Sequence, residues 1–251
     1  MQRAKEIENA FSGDDLPILR EISAPRGKAA LLYHPDLTDP ELCFRIIGWT
    51  EKISDKRLSL DEIRKKCIYI SETKIADGKD EAIDAILSGD AVLIFDKTPG
   101  YLVLNVRKYD KRSITEPPLS TVTYGPREGF IEDLKTNLCL IERRIRSPKT
   151  VVRRLKIGSV TKTDVAVVYI DGIADKKVVD KIVSRLSQID TNGIIDVQYL
   201  QPYLEERPFS IFDQVGRAEK PDIVAAKILE GRVAVLVNGT PVALTLPYLF
   251  I

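Results

Sequence analysis

Apolar positions along the chain fall into two periods. Four or five consecutive apolar residues, Ala91 to Phe95 and Val233 to Val237, read as buried strands. Each follows a helical pattern that ends in glycine, Ile86-Leu87-Ser88-Gly89 in one place and Ile228-Leu229-Glu230-Gly231 in the other. Glycine there fits a helix stop, because the left-handed residue that closes a helix is cheap only without a Cβ. After the strands come Asp96 or Asn238, one further residue, and Thr98-Pro99 or Thr240-Pro241, then Leu102 and Leu104 against Leu244 and Leu246. All of these pairs lie 142 residues apart, which marks an internal duplication.

The repeat extends backwards. Leu31 to Tyr33 and Val165 to Ile170 read as strands, each followed by a helix-capping aspartate, Asp39 or Asp175. The helices then carry matching apolar faces, Leu42, Ile46, Trp49 and Ile53 in one and Val178, Ile182, Leu186 and Ile189 in the other. Ser59 with Glu62 forms a capping box before a short helix. Further strands are expected at Cys67 to Ile70 and at Ile194 to Val197. Each half then reads β-α-β-α-β-β, which predicts an α/β fold of two similar small lobes. Each lobe is expected to hold a mostly parallel sheet with an antiparallel edge hairpin, the two lobes being joined by a connecting helix. The boundaries follow as 1–112 for the N-terminal lobe, 113–158 for a linker and connecting helix, and 159–251 for the C-terminal lobe. Residues 17–112 and 159–251 should share one strand order.

Two segments fall outside the repeat. Thr115-Glu116-Pro117-Pro118 reads as a stiff linker leading through Gly125-Pro126 to a helix with Phe130, Leu134, Leu138, Ile141 and Ile145 on one face. Tyr199 to Lys220, with Pro202, Tyr203, Pro208, Phe209 and Phe212, is too apolar for disorder and reads as a packed interaction loop.

Charge changes this picture in one place only. The 38 Lys and Arg nearly cancel the 37 Asp and Glu, for a net charge of +1, so attachment to nucleic acid through overall charge is not expected. From Arg143 to Lys156, however, Arg143, Arg144, Arg146, Lys149, Arg153, Arg154 and Lys156 occur without an acid. Such a run could hold phosphates of lipid or nucleic acid. The interleaved Ile145 and Leu155 favour instead a packed helix end whose arginines meet carboxylates and carbonyls of the same domain.

Catalytic signatures are missing. There is no G-x-G-x-x-G, no phosphate loop, no G-x-S-x-G and no H-E-x-x-H, so neither an enzyme nor a cofactor or metal site is expected. His34, the single histidine, sits in an apparent loop between Tyr33 and Pro35, and Cys43, Cys67 and Cys139 read as thiols of a reducing compartment. No apolar run is long enough for a membrane span. The apolar end, Leu246 to Ile251, reads as a cut through a longer protein.

Two long stretches resemble a known family. Gly125-Pro126-Arg127-Glu128-Gly129-Phe130-Ile131-Glu132-Asp133, with Thr136-Asn137-Leu138 and Leu140-Ile141-Glu142-Arg143-Arg144-Ile145, is similar to the signature of the GerA family, the A subunits of spore germination receptors. Lys220-Pro221-Asp222 followed by Ile228 to Pro241 resembles a second block of that family. Glu142, Lys220 and Asn238 depart from its pattern. The resemblance implies a cytoplasmic N-terminal domain, on the core side of the inner spore membrane, that precedes a membrane-spanning region. It also implies B and C subunits as partners, and signalling and receptor assembly as the function. A nutrient bound in a cleft between the lobes is the alternative. Arg127, Glu128, Glu132, Asn137, Arg143, Arg144, Arg207, Asp222 and Arg232 are then the candidate interaction residues.

Overall fold

The computed structural model describes residues 1–108, 126–206 and 212–248. Arg207, the Thr115-Pro118 linker and the apolar end at Ile251 lie outside these residues. The described chain divides into two compact units, one holding Met1–Ser12 and the chain from Leu16 up to residue 108, the other Gly13–Asp15 and everything from residue 126 onward.

The first unit runs α1 (Gln2–Glu8), β1 (Ile18–Ala24), β2 (Gly27–Tyr33), α2 (Pro40–Glu51), α3 (Leu60–Lys66), β3 (Thr73–Ala76), α4 (Lys79–Leu87), β4 (Ala91–Phe95) and β5 (Tyr101–Leu104). Its five strands form one sheet in the order β1-β2-β4-β5-β3. Alternate residues of the central strands enter two cores. Ala29, Leu31, Leu93, Phe95, Leu102 and Leu104 pack with Cys43 and Ile46 of α2 and Ile63 of α3. Ala30, Leu32, Val92, Ile94 and Val103 pack on the other face with Ile7 of α1 and Ile83 and Ile86 of α4. Asp39 and Ser59 cap α2 and α3 as expected, the latter through a complete capping box.

The second unit runs α5 (Leu134–Glu142), β6 (Thr150–Ile157), β7 (Thr163–Ile170), α6 (Lys176–Ser187), a 3₁₀ turn (Val197–Tyr199), α7 (Gln201–Leu204), β8 (Gly216–Ala218), α8 (Pro221–Leu229), β9 (Val233–Val237) and β10 (Ala243–Leu246). The strand order is β6-β7-β9-β10-β8, the same as in the first unit. Here too the sheet is covered on both faces. Val165, Val167, Val233, Val235 and Leu244 meet α6 and α7, while Ala166, Val168, Ala234 and Leu236 meet α5 and α8.

The expectation of mostly parallel sheets is corrected: every strand pairing in both sheets is antiparallel. The reason is the coverage. Helices on both faces make β4 and β9 apolar at every position, and such unbroken runs are the usual mark of parallel strands. The hydrogen-bond direction leaves no trace in that pattern.

Several strand positions differ for a related reason, β1 and β6 among them, since neither stretch is expected as a strand from its pattern. Cys67 to Ile70 and Ile194 to Val197 are not strands, although Ile68, Ile194 and Val197 plug the cores. The corresponding edge strands are β3 and β8, the latter inside the segment read as an interaction loop. The opposite edges, β1 and β6, are charged strands: Arg153 and Arg154 face solvent on β6, as suits an edge that must not pair with another chain.

The duplication therefore includes more than the sequence offset reveals. α1 and α5 each lie beside the last long helix of their unit, α4 or α8, and cover the same face of equivalent sheets. The signature helix thus occupies in the second unit the place that α1 holds in the first.

Cys43 is 1% exposed in the first core, and burial pushes its thiol up to about 11; the Asp39 carboxylate adds to the rise and a hydrogen bond with Thr38 opposes it. A raised thiol keeps its contribution to stability below the ordinary value of 9.0 and loses it as pH rises towards 11. Urea unfolding at pH 8 and pH 10.5 should therefore show a larger loss for the native chain than for Cys43→Ser. Equal losses would mean that Cys43 does not titrate in this window.

Candidate functional site

The signature segment is anchored from both sides before its helix begins. Phe130 donates its backbone N–H to the Glu219 carbonyl at 2.8 Å, and its ring enters the core beneath α5. Asn137, 1% exposed, turns back on the segment: its Oδ1 accepts from the Ile131 N–H at 2.9 Å and its Nδ2 donates to the Ile131 carbonyl at 2.6 Å. One amide side chain thus satisfies both backbone groups of a residue outside regular structure, which burial would otherwise leave costly.

Asp133 caps the helix, accepting from the Thr136 N–H at 2.8 Å and its hydroxyl at 2.6 Å. The β9–β10 turn supplies the rest. Asn238 Oδ1 accepts from the Leu134 N–H at 3.1 Å, and the Gly239 N–H donates to the Glu132 carbonyl at 2.7 Å. In the first unit the residue at the same place in its turn, Asp96, accepts from the Met1 nitrogen at the start of α1. A turn side chain bonding a helix start is thus a device of both copies. Sequence reasoning missed it, although the offset already aligned Asp96 with Asn238.

At the other end of α5, Arg144 donates to the Leu140 carbonyl at 2.7 Å and pairs with Glu128, tying the extended segment to the helix terminus. Arg127, Glu132 and Arg143 remain exposed on this surface. Asp222 stands in the first turn of α8, where a carboxylate is favoured by the helix dipole, and Arg232 pairs with Glu230 at 3.2 Å. Glu128, Glu132, Asn137 and Arg144 are thus brought into one structural knot. Asp222 and Arg232 belong to the neighbouring α8 and the strand start after it.

Most of the basic run is engaged within the domain. Besides Arg144, Arg146 donates to the Arg143 carbonyl at 3.4 Å, Arg153 to the Tyr169 hydroxyl at 3.3 Å, and Lys156 pairs with Asp164 at 2.9 Å. Arg154 holds Asp15 bidentately, donating from Nε at 2.9 Å and from Nη2 at 2.8 Å. The partners are thus a mixture of nearby carbonyls, a tyrosine hydroxyl and carboxylates, of which Asp15 lies 139 residues away from Arg154, where no local pattern could identify it.

Among the described residues no group of His, Cys, Asp and Glu is arranged to hold a metal ion, and no helix is long and apolar enough to cross a membrane. His34 is buried, its carbonyl accepting from the Thr38 hydroxyl at 2.7 Å. The geometry defines a duplicated antiparallel α/β domain whose distinguishing feature is a pinned signature segment with an exposed charged face. Residues 5–251 match the Bacillus/Clostridium GerA spore germination protein family, and the chain belongs to it.

It is similar to spore germination protein KA of Bacillus subtilis, 36% identical over 193 residues that make up 77% of this chain and 36% of that protein. Spore germination protein GerQA of Bacillus cereus is 38% identical over 190 residues, 75% of this chain and 38% of that one. The chain thus spans little more than a third of the length of these relatives. The crystal structure of the N-terminal domain of the A subunit of the Bacillus megaterium spore germinant receptor GerK3 is similar over 100% of this chain and 93% of its own, with 29% identity and a TM-score of 0.70.

Proposed function

We propose that this chain is the N-terminal domain of a germinant receptor A subunit that acts in signalling and receptor assembly during spore germination. The full-length likeness to the GerK3 A-subunit domain carries the reading. In the complete protein this domain lies on the cytoplasmic side of the inner spore membrane, with B and C subunits as partners and a membrane-spanning region following. The signature segment supports a role in assembly: its inner side chains fix its shape, and Arg127, Glu132 and Arg143 are left on the outside at fixed positions. Rigid presentation lowers the entropy lost on binding a partner.

Arg127→Glu combined with Arg143→Glu, placed in the full-length protein in a spore-forming host, is the test. Recovery of the B and C subunits with it should fall by about tenfold or more, as for charge reversal at a docking surface. The germination response should fall with it, while the domain alone stays folded by circular dichroism. Normal recovery and normal germination would overturn the assembly role.

A further inference from the structure

A second charged feature lies in the first unit, far in sequence from the signature segment. The β1–β2 turn, the loop after α2 and the β4–β5 turn enclose a pocket of about 400 Å³ lined by Pro25, Arg26, Lys28, Lys56, Asp96 and Lys97, among others. Arg26 builds its wall. It donates to the Asp55 carbonyl at 2.9 Å, the Leu58 carbonyl at 2.6 Å and the Thr98 hydroxyl at 2.9 Å, and stacks over Phe95 at 5.2 Å. With both terminal nitrogens engaged, Arg26 fixes the three loops against one another. The ammonium groups of Lys28, Lys56 and Lys97 are different. Among the described residues none of them forms a hydrogen bond or ion pair, and the one carboxylate of the lining, Asp96, is bonded to the Met1 nitrogen.

The second unit provides an internal comparison. Its equivalent turn is fixed by the same backbone bond: the Asp96 N–H donates to the Lys28 carbonyl at 3.0 Å, and the Asn238 N–H donates to the Asp164 carbonyl at 2.9 Å. Asp164 therefore stands at the place of Lys28, and Gly239 at the place of Lys97. Asp164 is itself neutralised by Lys156 at 2.9 Å. The fold does not need lysines at positions 28 and 97, since the copy with Asp164 and Gly239 in their places forms the same sheet. The Met1 nitrogen, and after it the nearby Lys28, help hold the Asp96 carboxyl below the usual range. Yet three ammonium groups without a hydrogen bond or ion pair, around a cavity with one carboxylate, leave an excess of positive charge that favours an anion.

We infer that this pocket binds a phosphomonoester. Ammonium groups act as point charges that can surround a tetrahedral dianion, whereas a planar carboxylate is better matched by a free guanidinium fork, and the one in this lining is already engaged. The cavity is larger than one phosphate group, and Pro25 and the lysine stems offer an apolar wall for an organic remainder. The same chemistry is presented by a free phosphorylated metabolite and by a phosphatidic acid headgroup. The inference does not depend on the receptor reading.

The test uses the 251-residue chain. Inorganic phosphate and glycerol 3-phosphate are titrated at low salt and followed by amide shifts, with chloride at equal ionic strength as the control. Phosphate should move the Lys28 and Lys97 amides, and added salt should weaken it. Lys28→Asp with Lys97→Gly, which installs the residues of the second copy, should weaken binding by about tenfold or more without lowering the melting temperature. Lys162→Gly in the second unit should leave binding unchanged. Tighter binding of glycerol 3-phosphate than of phosphate points to a free metabolite. Sedimentation with vesicles of phosphatidic acid but not phosphatidylcholine, abolished by the double variant, points to a headgroup. No response to any of these probes, or one that the double variant retains, overturns the site.

Discussion

Leu138→Ala should lower the unfolding free energy by about 3 kcal/mol, within the 2–5 typical of a leucine removed from a rigid core. Leu138 is 0% exposed and sits in a cluster formed by the signature helix, α8 and one face of the second sheet. That face is rich in small residues: Ala166, Ala234 and Ala243 come from the strands and Ala225 from α8. Short side chains let α5 lie close to the sheet, and they cannot swing into a gap left by a lost isobutyl group, so the cavity persists. Urea unfolding should show a lower midpoint at unchanged slope. A loss below about 1 kcal/mol would mean that the helix relaxes onto the sheet and is not held as described. Asn137→Ala should act separately from this packing, because it strips the Ile131 N–H and carbonyl of their partners, typically a cost of about 1–3 kcal/mol.

The same contrast between packing and polar contacts explains what the chain disclosed before its structure was known. Faces of helices were legible wherever one side met a core: Phe130, Leu134, Leu138, Ile141 and Ile145 do enter one cluster. Caps were legible because they are local, and Asp39, Ser59 and Asp175 hold the helix starts expected of them. Sheet direction was not, since a strand buried on both faces shows no alternation. Edge strands were not either. β8 has three residues and β3 four, with only Ala76 of β3 buried, too little for a periodic signal. β6 looked like a basic tract because its inward Val151 and Val152 are outnumbered by charge. At the candidate site, Asn137 and Arg144 could be singled out by resemblance, but their partners Ile131 and Glu128 become neighbours only when the segment folds back.

Duplication makes one further effect measurable twice in the same molecule. Gly89 and Gly231 close α4 and α8 with φ of +88° and +91°, the left-handed conformation expected of both. Each is also pressed against backbone: a Cβ would stand 3.0 Å from the Leu37 carbonyl oxygen in one unit and 3.0 Å from the Ile173 carbonyl oxygen in the other. Leu37 and Ile173 lie two residues before Asp39 and Asp175, the caps of α2 and α6, so moving either carbonyl disturbs a capped helix start. An alanine at either site therefore meets a conformational cost of about 1–2 kcal/mol and a contact that its neighbour cannot easily relieve. Gly89→Ala and Gly231→Ala should each lower stability by about 2–3 kcal/mol, more than the backbone cost alone. Gly48 provides the opposite case. It lies inside α2 with nothing within 4 Å of a built Cβ, so Gly48→Ala should gain about 0.5–1 kcal/mol from reduced freedom of the unfolded chain. Thermal or urea unfolding of the three variants reads both signs. Losses of similar size at positions 89 and 231, set against a gain at 48, require the two carbonyl contacts to be equivalent; a neutral Gly231→Ala beside a costly Gly89→Ala would show that the second copy had lost the constraint.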